Sequence, residues 1–265
     1  MKKYLQNLKV NLASQLEYRS DLIVSFILKA AIILAFSFLW SKISDEGGEI
    51  AGYGLSGIIL YYILTQVFDG LYSSRITKII KDDVLLGDLS NKLVKPVRAL
   101  PYYFTLHLSR VLSETIMYTI LVIPVFVLKP SFLGELNLDL VSILYLVISF
   151  ILASFLGFFI FFLSGCVAFW TKEAGGIQAV VKNVMKFFVG ALIPIDLLPE
   201  MFQKIILLTP FPYILYYPAK VMLANIEFPE MMKAIAVMLF WIVSLFLLTV
   251  KVWKAGLREY EAVGN

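Results

Sequence analysis

Long apolar runs separated by short polar ones dominate the chain. They fall at 22–40, 50–68, 108–128, 141–165, 178–198 and 232–251, each near the roughly 20 residues a helix needs to cross a bilayer. They lack the strict alternation of membrane-barrel strands, so the pattern predicts an all-α polytopic membrane protein with six transmembrane helices. The fourth run stays apolar to Trp170, which predicts a tilted, bent or overlong helix. Lys182 and Lys186 interrupt the start of the fifth and shift its apolar part toward 187–198.

The segments between the runs differ in kind. Residues 1–20 place Tyr4, Leu5, Leu8, Leu12 and Leu16 at helical spacing among Lys2, Lys3, Lys9 and Glu17, a pattern that suits an amphipathic helix lying on a membrane face. Residues 69–107 read as short helices broken at Gly87 and Pro96, large enough for a docking surface and too small for a domain. Residues 194–218 hold five prolines, Pro194, Pro199, Pro210, Pro212 and Pro218, within mostly apolar sequence. Such a segment cannot be an ordinary lipid-facing span, because its exposed backbone groups would go unpaired. Two short re-entrant helices with Tyr213, Tyr216 and Tyr217 at the interface would fit, as would a plain outer loop with interfacial aromatics.

Composition removes the soluble classes. With 60% hydrophobic and 16% charged residues in 265 and a mean hydropathy of +0.85, the apolar excess has to face lipid and leaves no room for a soluble catalytic domain. The formal charge of +4 does not point to nucleic acid, because the basic residues lie between the apolar runs. Sixteen of them fall in the N-terminus, the second-to-third loop, the fourth-to-fifth connection and the tail, against five (Lys42, Lys129, Lys204, Lys220 and Lys233) in the alternate segments. This bias predicts a plasma-membrane protein with both termini cytoplasmic. Cys166, the single cysteine, lies in an apolar stretch and reads as a packed bystander.

A few ionisable groups lie within the runs. Lys29 sits about two turns into the first and must snorkel, face protein or pair with an acid. Glu114 lies at similar depth in the third, with Arg110 at i−4 on the same face. A Lys29, Arg110 and Glu114 network is one reading; snorkelling and contact with substrate are the others. His107 reads as an interfacial polar residue, and Asp69, Asp196 and Glu200 as boundary groups, although Pro194 and Pro199 could hold Asp196 against the outer end of a pathway. Small residues in the second run (Gly52, Gly54, Ser56, Gly57) and the fourth (Ser154, Gly157, Ser164, Gly165) permit close helix approach and mark surfaces where a partner subunit could pack.

Enzyme motifs are missing. The sequence has no G-x-x-x-x-G-K-[ST] loop, so it should not hydrolyse ATP, and no H-E-x-x-H, G-x-S-x-G or CxxC. Asp82 and Asp83 form an acid pair in a basic loop and read as a solvated face. No catalytic residue, metal or cofactor is expected in this chain.

Three stretches together carry a family resemblance: LEYRSD before the first run, GDLSNKLVKPVR after the second, and LIPIDLLPEMFQKIILLTPFPYILYYPAKVM between the fifth and sixth. In that order the chain resembles the permease subunits of type-2 ABC exporters, in the six-span branch of chains this long, over essentially its whole length. The LLPE and TPF...YYPAK sequence is the most specific part; Lys95 stands where arginine is commoner. The resemblance implies one permease domain over 1–265, with an interfacial helix at 1–20, a cytoplasmic coupling loop at 69–107 and an outer re-entrant segment at 199–218. It implies a second permease subunit, identical or related, and a separate cytoplasmic ABC ATPase dimer that holds ATP and Mg. Lys81, Asp82, Asp83, Val84, Leu85, Leu86, Gly87, Asp88 and Leu89 would form the coupling helix. Pro194, Asp196, Pro199, Glu200, Pro210, Pro212, Tyr216, Tyr217 and Pro218 would form an outer gate. The cargo would be amphipathic: drug-like, peptide or lipid-linked. An ion-driven carrier, which needs polar groups near the bilayer midplane, and a non-transporting scaffold or immunity protein are the alternatives.

Overall fold

A segment that crosses lipid must close its own backbone hydrogen bonds, and a helix does so within one stretch of chain. The computed structural model describes residues 2–17, 19–47, 53–94, 98–171, 174–223 and 226–260, and these form an all-α, multi-span membrane protein. Gly52, Lys95, Pro96 and Lys172, and the side chain of Leu16, lie outside the described residues. The helices are α1 (Lys2–Glu17), α2 (Arg19–Gly47), α3 (Leu55–Phe68), α4 (Arg75–Leu85), α5 (Asp88–Leu93), α6 (Ala99–Leu128), α7 (Leu140–Cys166), α8 (Ala174–Phe188), α9 (Glu200–Leu207), α10 (Tyr216–Leu223) and α11 (Phe228–Glu259).

Four stretches among the described residues are long and apolar enough to cross a membrane: Leu55–Leu85, Ala99–Leu128, Leu140–Phe169 and Phe228–Glu259. The expected first span falls inside α2, whose Leu34 and Phe38 are exposed as lipid contacts would be. Two expectations change. The third helix begins at Ala99, within the stretch assigned to the 69–107 loop. The expected fifth span, 178–198, is not one helix, because α8 stops at Phe188. Gly190 there takes φ +81, a conformation with no steric cost only for glycine. Ala191 N–H donates to the Lys186 carbonyl and Gly190 N–H to the Phe187 carbonyl, at 3.1 Å each, which closes the helix end in a Schellman motif.

The core is built on α7. Lipid is as apolar as leucine, so helices within it hold together by close packing and hydrogen bonds rather than by escape from water. Gly157 of α7 lies against the Leu71 carbonyl, where no Cβ would fit. Eight residues on, Gly165 receives Ile80 of α4, and Thr77 Oγ1 donates to the Phe161 carbonyl at 2.9 Å. The small residues of the fourth run therefore serve packing within the chain. Toward the C-terminal end of α7, Trp253 of α11 packs edge-on to Tyr103 and Phe169 and tilted against Phe162, and Gly256 admits the Phe169 ring.

Helix α1 is docked on protein. Asn7 Nδ2 donates to Thr105 Oγ1 at 2.6 Å, and the Arg98 N–H donates to Tyr4 Oη at 3.2 Å. Tyr4, Leu8 and Leu12 face inward and Leu5 and Val10 outward, so Leu5 is not on the packed face that its spacing suggested. Because α6 runs from α1 and α5 at its start toward α10 past its end, where the Asn137 N–H donates to the Met222 carbonyl at 2.7 Å, the bundle has an α5 end and an α9–α10 end.

Gly157→Ala should force α7 away from Leu71 and destabilise the fold by about 1–3 kcal/mol, as overpacking does. Gly134→Ala, whose added methyl meets nothing within 4 Å, should leave the melting temperature unchanged, and tryptophan-fluorescence melting in mild detergent compares the two.

Candidate functional site

Three polar groupings interrupt this apolar bundle. The first ties α2, α3 and α6 together. Lys29, 6% exposed, places Nζ 2.7 Å from Asp69 Oδ2, donates to the Gln66 carbonyl at 3.3 Å and sits 3.4 Å over the Tyr118 ring centroid. Arg110 and Glu114 form an ion pair one turn apart on α6. Lys29 thus pairs with Asp69 and not with Glu114, although Glu114 is close enough to act on it electrostatically. The reason is the 3-10 turn Asp69–Tyr72, which holds Asp69 between the helices; Gly70 in that turn lies against Glu114. A polar cavity of about 560 Å³ opens beside these pairs and extends past Tyr118 and Arg75 to Lys78, Asp82 and Lys182.

The second grouping is the α4–α5 corner. Gly87, at φ 81, turns the chain between the helices. Asp83 accepts from Lys92 Nζ at 2.5 Å and from Tyr103 Oη at 2.6 Å. It is buried, so it is not the solvated acid that its position beside Asp82 suggested; Val84 and Leu89 are buried with it. Tyr260, beyond α11, reaches the same corner, with its Oη 3.1 Å from Ser90 Oγ and 3.2 Å from the Gly87 carbonyl. What remains on the surface is Asp88, Asn91, Leu86, Leu93 and Val94, the last three being 71%, 44% and 86% exposed; Lys81, Asp82 and Leu85 are half-buried.

The third grouping closes the α9–α10 end. Asp196 accepts from Tyr53 Oη at 2.8 Å, Tyr216 Oη at 2.6 Å and Lys220 Nζ at 2.8 Å. Gln203 Nε2 donates to the carbonyls of Asp196 and Leu198. Tyr61 Oη and Tyr62 Oη donate to the carbonyls of Gly190 and Leu192, Tyr213 Oη to that of Leu207, and Tyr217 Oη to Glu230. Tyr213, Tyr216 and Tyr217 are therefore buried hydrogen-bond donors. The hydroxyls of Tyr61, Tyr62 and Tyr213 and the indole N–H of Trp241, which donates to the Leu208 carbonyl, satisfy carbonyls that the prolines leave outside helices. Pro194, Pro210, Pro212 and Pro218 are buried, while Pro199 and Glu200 are exposed and Glu200 pairs with Lys204 away from Asp196.

Several partners had little sequence signal. Asp69 and Lys29 could have been matched by their shared depth in neighbouring helices. Lys220 stands one helical turn from Tyr216, which puts both on the face toward Asp196, but nothing in sequence joins Tyr53, Tyr103 or Tyr260 to its carboxylate or corner. His107 is buried beside Phe158. Among the described residues no group of His, Cys, Asp and Glu side chains could hold a metal ion.

No significant match exists among curated proteins. The family described as ABC-2 family transporter protein, in contrast, matches residues 26–264, a range that takes in all three polar groupings, most of α2 and every helix after it. The chain therefore belongs to the ABC-2 family of membrane transporter proteins.

Proposed function

We propose that the chain is the transmembrane permease subunit of an ABC exporter in the plasma membrane. It works with a second permease, identical or related, and with a cytoplasmic ABC ATPase dimer that binds ATP and Mg. The α5 end and both termini face the cytoplasm, in keeping with the basic residues gathered there. The α4–α5 corner carries this reading. It is tied by Asp83, Lys92, Tyr103 and Tyr260 to α6 and the end of α11, yet it exposes Leu86, Asp88, Leu93 and Val94. A rigid corner with an apolar, unpartnered tip is suited to receive force from a docked subunit, and α4 lies directly on α7, so displacement of the corner displaces the bundle.

The rest follows from the same arrangement. The polar cavity between α4, α6 and α8 offers a water-accessible entry on the cytoplasmic side. The segment centred on Asp196 caps the opposite end, and its two short helices α9 and α10 are the outer gate. Lys29, paired with Asp69 and seated over the Tyr118 ring, holds α2, α3 and α6 in register within the bundle. An amphipathic cargo suits a pathway with charged entry and apolar walls.

Copurification in mild detergent, followed by ATPase assay, tests the docking site. Leu86→Asp combined with Leu93→Asp should strip the ATPase subunit and its activity from the complex while leaving the permease's elution and melting unchanged. Retention of a stoichiometric ATPase by that variant would overturn the assignment of the corner.

The cap has its own test. Asp196→Asn removes the counter-charge of Lys220 and should cost about 1–3 kcal/mol of stability. In the reconstituted complex it should also uncouple ATP hydrolysis from transport, raising basal hydrolysis as export falls; unchanged coupling would remove the gate from the mechanism.

A further inference from the structure

An apolar groove of about 720 Å³ runs between α6, α7 and α11 from the α5 end of the bundle. Its walls are rings and branched chains: Phe104 stacked on Phe155 at 4.6 Å, Phe159 against Phe246 at 5.9 Å, with Val250 and Trp253 beside them. Its mouth is cationic. Arg98, just before the first turn of α6, and Lys254, in the last turns of α11, both line it, both are exposed, and neither joins an ion pair among the described residues. The Arg98 backbone N–H donates to Tyr4 Oη, which ties the mouth to α1.

A slot that is apolar along its length and doubly cationic at one end complements an amphiphile with an anionic head. A second groove, of about 490 Å³ between α3, α6 and α7, shows the contrast. It is lined by Val67, Ile116 and Phe150 with no charged residue, as any lipid-washed surface is. We infer that the α6–α7–α11 groove is a binding site for an anionic glycerophospholipid, with an acyl chain along Phe104, Phe155, Phe159, Phe246 and Val250 and the phosphate between Arg98 and Lys254. Basic pockets between membrane helices select anionic headgroups in this way. In the orientation proposed above, the lipid belongs to the cytoplasmic leaflet. Leu93 of α5 also lines the mouth, so the headgroup rests beside the exposed tip of the α4–α5 corner.

Native mass spectrometry of the full chain in mild detergent, titrated with phosphatidylglycerol or with phosphatidylcholine of the same acyl chains, tests the site without any ATPase. The unaltered chain should bind one phosphatidylglycerol about tenfold more tightly than phosphatidylcholine, a preference of the size two nearby cations supply. Arg98→Gln with Lys254→Gln should abolish the preference. Lys3→Gln with Lys9→Gln, which removes equal charge from exposed positions on α1, should keep it, and excess inorganic phosphate should not displace the lipid. Val250→Trp, which fills the slot and leaves the charges intact, should weaken both lipids and decides the matter if the charge variant does not purify. The proposal is overturned by an unaltered chain without preference, by a preference that survives the Arg98 and Lys254 changes, by its equal loss in the Lys3 and Lys9 variant, by displacement with phosphate, or by tight binding to the Val250 variant.

Discussion

The contact of Gly157 with the Leu71 carbonyl is the constraint on which the bundle depends. Helices surrounded by lipid gain nothing by covering one another's apolar surface, so how closely two backbones can approach decides which of them pack. Here that approach seats the Asp69–Tyr72 turn against α7, with Gly70 of the same turn against α6. Once the turn is held, α3 must arrive from one side and α4 must leave along α7, with Ile80 entering the space beside Gly165 and Thr77 bonding to Phe161. The position of Asp69 opposite Lys29 and the direction in which α4 carries α5 are both consequences of this one close approach.

At the other end a different device solves a different problem. The segment from Gly190 to Pro218 has too many prolines to satisfy its backbone by helix formation, and it is too apolar to be left in water. Tyrosines resolve the conflict, because a ring is at home among apolar side chains while its hydroxyl reaches a carbonyl or carboxylate. Tyr61, Tyr62 and Tyr213 serve carbonyls, and Tyr53 and Tyr216 converge on Asp196 with Lys220. The irregular segment is thereby anchored to α3 and α10 and is not a free loop.

Between these ends, polar groups are concentrated where the chain must do more than pack. The cavity beside Lys29–Asp69 and Arg110–Glu114 opens along α4, so the helix that bears the exposed corner also lines the polar cavity. One helix thus joins the two features with no irregular segment between them.

Membrane residence, helical class, the family and the existence of an irregular zone at 194–218 were all legible in the sequence, because each rests on local properties: the length of apolar runs, the spacing of prolines and short motifs such as LLPE and YYPAK. The partners of the charged residues were not. Lys29 found Asp69, Asp83 turned inward to Lys92 and Tyr103, the small residues of the fourth run met Leu71 and Ile80 of the same chain, and the fifth apolar run ended at Gly190 in a Schellman turn. Periodicity states which residues share a face of one helix, but it carries no information about which helix that face will meet. Only the tertiary structure decides this, since close approach at a glycine or a buried hydrogen bond depends on residues that are tens or hundreds of positions apart.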